Sequence, residues 1–133
     1  MQETKAIDVI VGHTGRTLSA YIEGLPLICV GANVAELRLN MLEAIERYRR
    51  NNAQVQEIIP EPFELKMKVD AATFINYYSD VFTKAALSRI TGINERQLWH
   101  YAAGMHKPRK RQLQRIADGI KALIQEIDSI ELL

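Results

Sequence analysis

The sequence of 133 residues has one cysteine, one tryptophan and no long apolar run. A single cysteine cannot form a disulfide within the chain. Cys29 lies in the apolar run LPLICV, which favours a buried, unreactive thiol over a catalytic one. Because a transmembrane helix needs about 18 or more consecutive apolar residues, we expect none. The first residues, MQETKAIDVIVG, lack the basic and apolar regions of a secretory signal, so the sequence predicts a cytoplasmic protein.

The charge of the chain is nearly balanced overall but unevenly distributed. The formal net charge is +1, from 17 Lys or Arg and 16 Asp or Glu residues. Residues 1–70 carry eight basic and ten acidic side chains, a net of −2, and residues 71–133 carry nine and six, a net of +3. The segment from Thr83 to Ile116 alone holds eight basic residues and one acid, a net of +7. A positive field concentrated in one segment favours a polyanionic partner, above all nucleic acid.

Residue alternation in the first half predicts a small β-rich domain. The predicted strands cover residues 5–12, 17–23, 27–30 and 63–69. The last of them alternates regularly enough to predict one buried and one solvated face. A helix is predicted to begin after Asn33, whose side chain can cap it, with Glu36 at the capping-box position. Residues 51–62 are predicted to be a connection, so the order is β-β-β-α-β.

From Asp70 onward the apolar spacing changes from two residues to about 3.6, which predicts helices. We place the domain boundary at Val69–Asp70. The chain then consists of an N-terminal domain, residues 1–69, and an all-α C-terminal domain, residues 70–133. Breaks between the predicted helices fall near Phe82, Gly92, Gly104 and Pro108.

The segment after Phe82 has the pattern of a helix–turn–helix. Thr83 and Asn94 are each placed to cap a helix, and Gly92 suits a turn that needs a left-handed backbone. The residues expected to face inward are Leu87, Ile90, Ile93, Leu98, Tyr101 and Ala102. The N-terminal part of the second helix is then able to reach base edges in the major groove of DNA.

Two sets of residues are candidates for DNA contact. The predicted base-reading residues are Asn94, Glu95, Arg96, Gln97 and His100. Arginine can pair with guanine, glutamine with adenine and glutamate with cytosine. The predicted phosphate-contacting residues are Lys84, Trp99, Lys107, Arg109, Lys110 and Arg111. The alternative for the charged residues is simple solvation, and the alternative for Trp99 is a place in the core.

The segment ALSRITGINERQLWHYAAGMHKPR resembles the lambda-repressor-like (Xre-type) helix–turn–helix family. The matching residues are Leu87, Gly92, Ile93, Leu98, Tyr101, Gly104 and Pro108. The chain departs from the family at Ser88, where alanine is usual, at Thr91, where an apolar residue is usual, and at Trp99, which replaces a small polar residue. The resemblance implies binding to double-stranded operator DNA.

The segment TLSAYIEGLPLICVGANVAELRLNMLEAIERY resembles the N-terminal domain of the HicB antitoxin family. The correspondences are Tyr21, Leu25, Pro26, the helix from Asn33, and Glu43, Ala44 and Ile45. The resemblance implies an α+β protein with a partial RNase-H-like domain followed by a helix–turn–helix domain. It also implies an antitoxin of a type II toxin–antitoxin system, which neutralises a small HicA-like mRNA-cleaving toxin and represses its own operon. The alternative is a stand-alone Xre-type repressor without a toxin.

An enzyme is the competing class of function. Two-metal nucleases hold their ions roughly 4 Å apart with several converging carboxylates. The acids available are Asp8, expected to face solvent, Glu23 at a strand end, and Glu36, which capping explains. His13 is a loop histidine without an evident partner in the sequence. We therefore expect no catalytic residue, no metal site and no cofactor.

The last helix carries an apolar seam with alternating spacings of three and four residues. The seam residues are Leu113, Ile116, Ile120, Leu123, Ile127 and Ile130. Leu113 and Ile116 are expected to pack on the domain's own core. The predicted dimer interface is Ile120, Leu123, Ile127 and Ile130. A homodimer is able to place two recognition helices about one DNA turn apart; higher assembly through the N-terminal domain stays open.

Overall fold

The computed structural model describes residues 3–133, which form four strands and six helices in an α+β arrangement. The strands are β1 (Lys5–Thr14), β2 (Thr17–Tyr21), β3 (Ile28–Gly31) and β4 (Phe63–Val69). The helices are α1 (Val34–Asn51), α2 (Val55–Ile58), α3 (Ala71–Tyr77), α4 (Lys84–Thr91), α5 (Glu95–Ala102) and α6 (Lys110–Asp128). The chain divides between Asp70 and Ala71 into an N-terminal unit and a C-terminal unit. No helix in residues 3–133 combines the length and apolar character that crossing a membrane requires.

The N-terminal unit is built on a mixed sheet with the strand order β3-β2-β1-β4. β1 pairs antiparallel with β2 and parallel with β4, and β2 pairs antiparallel with β3. Alternate residues of a strand point to the same side, so Ile7, Val9 and Val11 of β1 are buried together. Helix α1 packs on β2 and β3, and its Leu37 and Met41 are fully buried. The core of this unit therefore lies between α1 and one face of the sheet.

The junction between β3 and α1 requires a close approach. A Cβ atom at Gly31 would lie 2.8 Å from the backbone nitrogen of Leu37, closer than real Cβ contacts come. Two residues further on, Asn33 Oδ1 accepts a hydrogen bond from the Glu36 N–H at 2.8 Å. The predicted cap of α1 is therefore confirmed, and it fixes where the helix begins.

Cys29 of β3 points into the core of the N-terminal unit. Its Sγ lies 3.9 Å from Met41 Sδ and 3.7 Å from the backbone oxygen of Asn40. Burial raises the pKa of the Cys29 thiol, and the charge of Arg47 offsets only part of this effect. The predicted buried thiol is confirmed.

The segment 51–62 is more ordered than the predicted connection. Its middle forms the short helix α2, and Val55 and Ile59 are buried. Arg49 at the end of α1 holds this segment in place, since its guanidinium donates to the backbone oxygen of Ile59 at 3.1 Å and pairs with Glu61 Oε1 at 3.0 Å. These contacts join residues that the local sequence pattern does not connect.

Strand β4 has the predicted bounds but not a fully buried face. Of its alternating apolar residues Leu65 is buried, Phe63 and Met67 are half-buried, and Val69 is 44% exposed. Because β4 is an edge strand, its far end extends beyond the part of the sheet that the core covers.

The C-terminal unit consists of α3, α4, α5 and α6 around a single apolar core. The buried residues of that core are Ile75, Leu87, Ile93, Leu98, Tyr101 and Ile116. The helix breaks predicted near Phe82, Gly92, Gly104 and Pro108 are confirmed. A polar contact adds to the packing, since Asn76 Nδ2 of α3 donates to the backbone oxygen of Ala102 at 2.8 Å. The C-terminal end of α5 is thereby tied to α3.

Gly119 lies inside α6 where this helix crosses the end of α4. A Cβ atom at Gly119 would lie 2.4 Å from the carbonyl oxygen of Ile90 and 3.2 Å from the Cα of Thr91. These neighbours are backbone atoms of a packed helix, so they cannot move aside as a flexible side chain does. Glycine at this position therefore sets the distance between α4 and α6.

We expect Gly119→Ala to lower the free energy of unfolding of the C-terminal unit by about 1–3 kcal/mol, as overpacked sites do. At an open helix position the same change is stabilising by up to about 1 kcal/mol, so the sign of the effect tests the contact. Urea unfolding followed by the fluorescence of Trp99, the single tryptophan, reports on this unit. Lys121→Ala, at an exposed position of α6, is the control. A more stable Gly119→Ala variant would contradict the close approach.

Candidate nucleic-acid interface

Two caps and a left-handed glycine fix the geometry of α4 and α5. Thr83 Oγ1 accepts a hydrogen bond from the Ala86 N–H at 3.0 Å, and Asn94 Oδ1 accepts one from the Gln97 N–H at 2.8 Å. Between the helices Gly92 has a φ of 74°, a backbone conformation that a side chain would strain. Both predicted caps and the predicted glycine turn are confirmed. These local interactions therefore help to set the direction in which α5 leaves the turn.

Thr91 and Arg115 hold the same turn from two sides. The Thr91 hydroxyl donates to the Leu87 carbonyl at 2.6 Å and accepts from the Ile93 N–H at 3.2 Å. Arg115 Nη2 of α6 donates to the Gly92 carbonyl at 2.8 Å. Thr91 is only 8% exposed, so its hydroxyl needs these partners. A polar residue at this usually apolar position is explained by the hydrogen bonds it supplies to the turn.

Helix α5 separates an inner face from an outer face. Leu98 and Tyr101 point inward and are 0% and 4% exposed. Glu95, Arg96 and Trp99 are exposed, and Trp99 lies four positions after Glu95 and three after Arg96, so it neighbours both of them on the helix surface. These three residues are called the α5 outer face below. This face presents the hydrogen-bond acceptors of Glu95, the cationic guanidinium donor of Arg96 and the aromatic ring of Trp99.

Three of the predicted base-reading residues have contacts within the unit. Asn94 caps α5 through its side-chain oxygen, and Gln97 is half-buried with its Nε2 at 3.5 Å from His106 Nδ1. His100, expected at the outer surface, is also half-buried, and its ring centroid lies 4.9 Å from that of His106. The chain turns back after Gly104 and brings His106 over α5, which explains this difference. His100 Nδ1 is buried and has no hydrogen-bond partner among residues 3–133.

Trp99 and Lys84 meet on the surface of the C-terminal unit. Trp99 is 57% exposed, which excludes the core alternative for this residue. The Nζ atom of Lys84, the first residue of α4, lies 4.0 Å from the centroid of the Trp99 ring. This distance is within the range of a cation–π interaction. Two predicted phosphate-contacting residues from different helices are thus brought together.

The remaining predicted phosphate-contacting residues cluster before and at the start of α6. Exposed cationic side chains are present at Lys107, Arg109, Lys110 and Arg111. The first turn of α6 has no acid, and Arg109 at its N-cap makes no side-chain capping hydrogen bond. Cations at a helix N-terminus oppose the helix dipole and lower its stability. A departure of this kind from local stability rules is typical of functional sites.

A cleft of about 530 Å³ lies between α5 and the start of α6. It is lined by Gln97, Tyr101, His106, Lys107, Arg109 and Gln112. The two cationic residues and the polar amides give this cleft a cationic, hydrogen-bonding character. It extends the positive surface from the basic segment to the side of α5.

The apolar seam of α6 is shorter than predicted. Ile116 is buried, as expected, but Ile120 also packs against the core of the unit and is therefore not free for a partner. The helix ends at Asp128, so Ile130, 60% exposed, lies beyond it. Leu123 is half-buried and Ile127 is 57% exposed. The prediction that Leu113 packs on the core is wrong, since it is 46% exposed, and Ile124, outside the predicted seam, is 59% exposed.

The residues considered for catalysis all belong to the N-terminal unit. Asp8 is exposed on β1 opposite Lys66 of β4, and Glu23 is exposed after the end of β2. Glu36 is exposed in the first turn of α1, and His13 Nδ1 lies 3.1 Å from the Gly15 carbonyl oxygen. Within residues 3–133 no group of three or more His, Cys, Asp and Glu side chains is arranged to hold a metal ion.

Comparison with protein-family models, curated proteins and solved structures finds no match to this chain. Any functional conclusion therefore rests on its own residues, their geometry and the resemblances that its sequence motifs carry. The most specific geometry is that of the α4–α5 pair with its adjacent cations, because its caps, turn and charges all belong to one surface of one unit.

Proposed function

We propose that the chain is a helix–turn–helix repressor that binds double-stranded DNA and serves as the antitoxin of a type II toxin–antitoxin system. The observation that carries the DNA-binding part is the α5 outer face. Arg96 and Glu95 project from the N-terminal turn of a capped helix, where a recognition helix presents its base-reading residues. Arg96 donates to guanine in this arrangement, and Glu95 accepts from cytosine.

The cationic side chains around the α5 outer face support an orientation in which this face meets the DNA. Lys84 lies on one side of the α5 outer face, and Lys107, Arg109, Lys110 and Arg111 precede or begin α6. Contacts from such residues to phosphates supply affinity and register without reading sequence. Asn94 and Gln97 act mainly by setting the position of α5, since their side chains already have partners within the unit.

The antitoxin part rests on the resemblance of the first half to the HicB family. The observed order of three strands, a helix and a fourth strand supports it, with α2 as an addition before β4. In this proposal the N-terminal unit is a partial RNase-H-like domain that covers a small HicA-like mRNA-cleaving toxin, and the C-terminal unit represses the operon. A stand-alone Xre-type repressor is the alternative, and it uses the same DNA-binding residues.

A homodimer is part of the proposal because operator half-sites need two recognition helices. The exposed apolar side chains of α6 support it, and the interface is centred on Ile127, Ile124 and Leu123 rather than on Ile120. A second copy of α6 covers these side chains, which otherwise face water.

We expect Arg96→Ala to weaken binding to the DNA upstream of the protein's own coding sequence by about 1–3 kcal/mol and to relax the preference at one base pair. Lys110→Ala is expected to weaken binding to all sequences alike and to lower the salt slope by about one, because a phosphate contact releases counterions. Fluorescence anisotropy at several salt concentrations measures both effects. Lys121→Ala is the control, an equal loss of charge at an exposed position outside the proposed surface. The surface is wrong if neither variant differs from the wild type.

We expect Ile127→Glu to convert the dimer into a monomer, because burying a carboxylate in an apolar interface is costly. Ile127 is exposed in the single chain, so the change leaves the core of the unit intact. Light scattering gives the mass, and Gln125→Glu, an exposed position of the same helix, adds the same charge as a control. An unchanged mass for Ile127→Glu rules out this interface.

Co-expression with the small neighbouring gene separates the antitoxin from the stand-alone repressor. If the chain is an antitoxin, it rescues growth and copurifies with the toxin. Arg96→Ala is expected to rescue growth as well as the wild type, because toxin binding is assigned to the N-terminal unit. DNA binding without rescue or copurification would favour the stand-alone repressor.

A further inference from the structure

The Lys84–Trp99 pair joins a charged residue of α4 to an aromatic residue of α5 on the surface proposed to face DNA. Lys84 Nζ lies 4.0 Å from the ring centroid, and Trp99 is 57% exposed. The ring therefore holds the ammonium group without neutralising it, and the positive charge stays available to an anion.

The position of Trp99 connects this cation to the base-reading residues. Trp99 follows Arg96 by three positions and Glu95 by four, so the indole is their direct neighbour on α5. An ammonium held over the indole is thus held beside the recognition helix. A free lysine side chain samples many rotamers and loses that freedom when it contacts a phosphate, whereas a side chain already held in place loses less.

The geometry points to Trp99 as a positioning residue for phosphate contact, an inference that rests on the proposed DNA-binding function. The indole fixes the Lys84 ammonium so that it meets a backbone phosphate as Arg96 meets a base edge. The ligand is the phosphodiester backbone of duplex DNA, without regard to its sequence. The family that this segment resembles usually has a small polar residue at the position of Trp99. Here the tryptophan contributes to DNA binding by positioning Lys84, a charged residue of α4.

The salt dependence of DNA binding tests this role, because Trp99 itself carries no charge. With a labelled random-sequence duplex as the probe, we expect Trp99→Ala to lower the salt slope by about 0.9, as Lys84→Ala does. Its affinity is expected to fall about two- to five-fold at low salt, the size of an exposed cation–π contact. Trp99→Phe keeps an aromatic ring and is expected to retain the wild-type slope. Lys84→Ala combined with Trp99→Ala is expected to lower the slope no further than Lys84→Ala alone.

The contact itself is tested without DNA through the emission of Trp99, the single tryptophan of the chain. We expect Lys84→Ala to change the emission of the free protein and Lys121→Ala to leave it unchanged. Unchanged emission in Lys84→Ala overturns the contact. Wild-type DNA binding with a wild-type slope in Trp99→Ala overturns the positioning role alone. A wild-type chain that binds no duplex at low salt overturns the proposed function, and the phosphate role of Lys84 with it.

Discussion

The close packing of α6 on the end of α4 is the constraint on which the geometry of the candidate interface depends. Gly119 lets the two helices approach within a distance that no side chain would allow. At this distance Arg115 of α6 reaches the Gly92 carbonyl and holds the turn before α5. Under the proposed function α5 has to keep its side chains in register with base edges, and α6, which carries no proposed base-reading residue, helps to set that register. The position of α5 therefore depends on the close packing of the α4 and α6 backbones at Gly119.

Stability and binding make opposite demands on the charges of this unit. Helix α6 begins with cations where its dipole favours anions, and its N-cap makes no capping hydrogen bond. Helices α4 and α5, in contrast, begin with side chains that cap them well. The unit thus tolerates an unfavourable start in its longest helix, which Ile116 and Ile120 attach to the core. A bound phosphate backbone would remove the conflict, because it supplies the negative charge that the first turn of α6 lacks.

Sequence patterns predicted the features that depend on neighbours along the chain. The caps at Asn33, Thr83 and Asn94 were predictable because a cap is a contact across three residues. The packing of Ile120 on the core could not be predicted, because an a/d spacing is the same whether the helix packs on the domain's own core or on a second chain. The half-burial of His100 was missed for a similar reason, since it depends on His106 returning over α5. The sequence did not predict a role for Gly119 either. The need for glycine there depends on the backbone of α4, which the sequence around Gly119 does not reveal.

The charges of the two units determine which partner each can approach. The first 70 residues have a net charge of −2 and would be repelled by phosphate, while the segment from Thr83 to Ile116 has a net charge of +7. Under the proposed function, DNA is therefore met by the C-terminal unit. An mRNA-cleaving toxin has to bind a polyanion itself and needs a cationic surface, which suits a partner that is acidic overall. Under the proposed function the same sign of charge that keeps the N-terminal unit from competing for DNA also favours its association with the toxin.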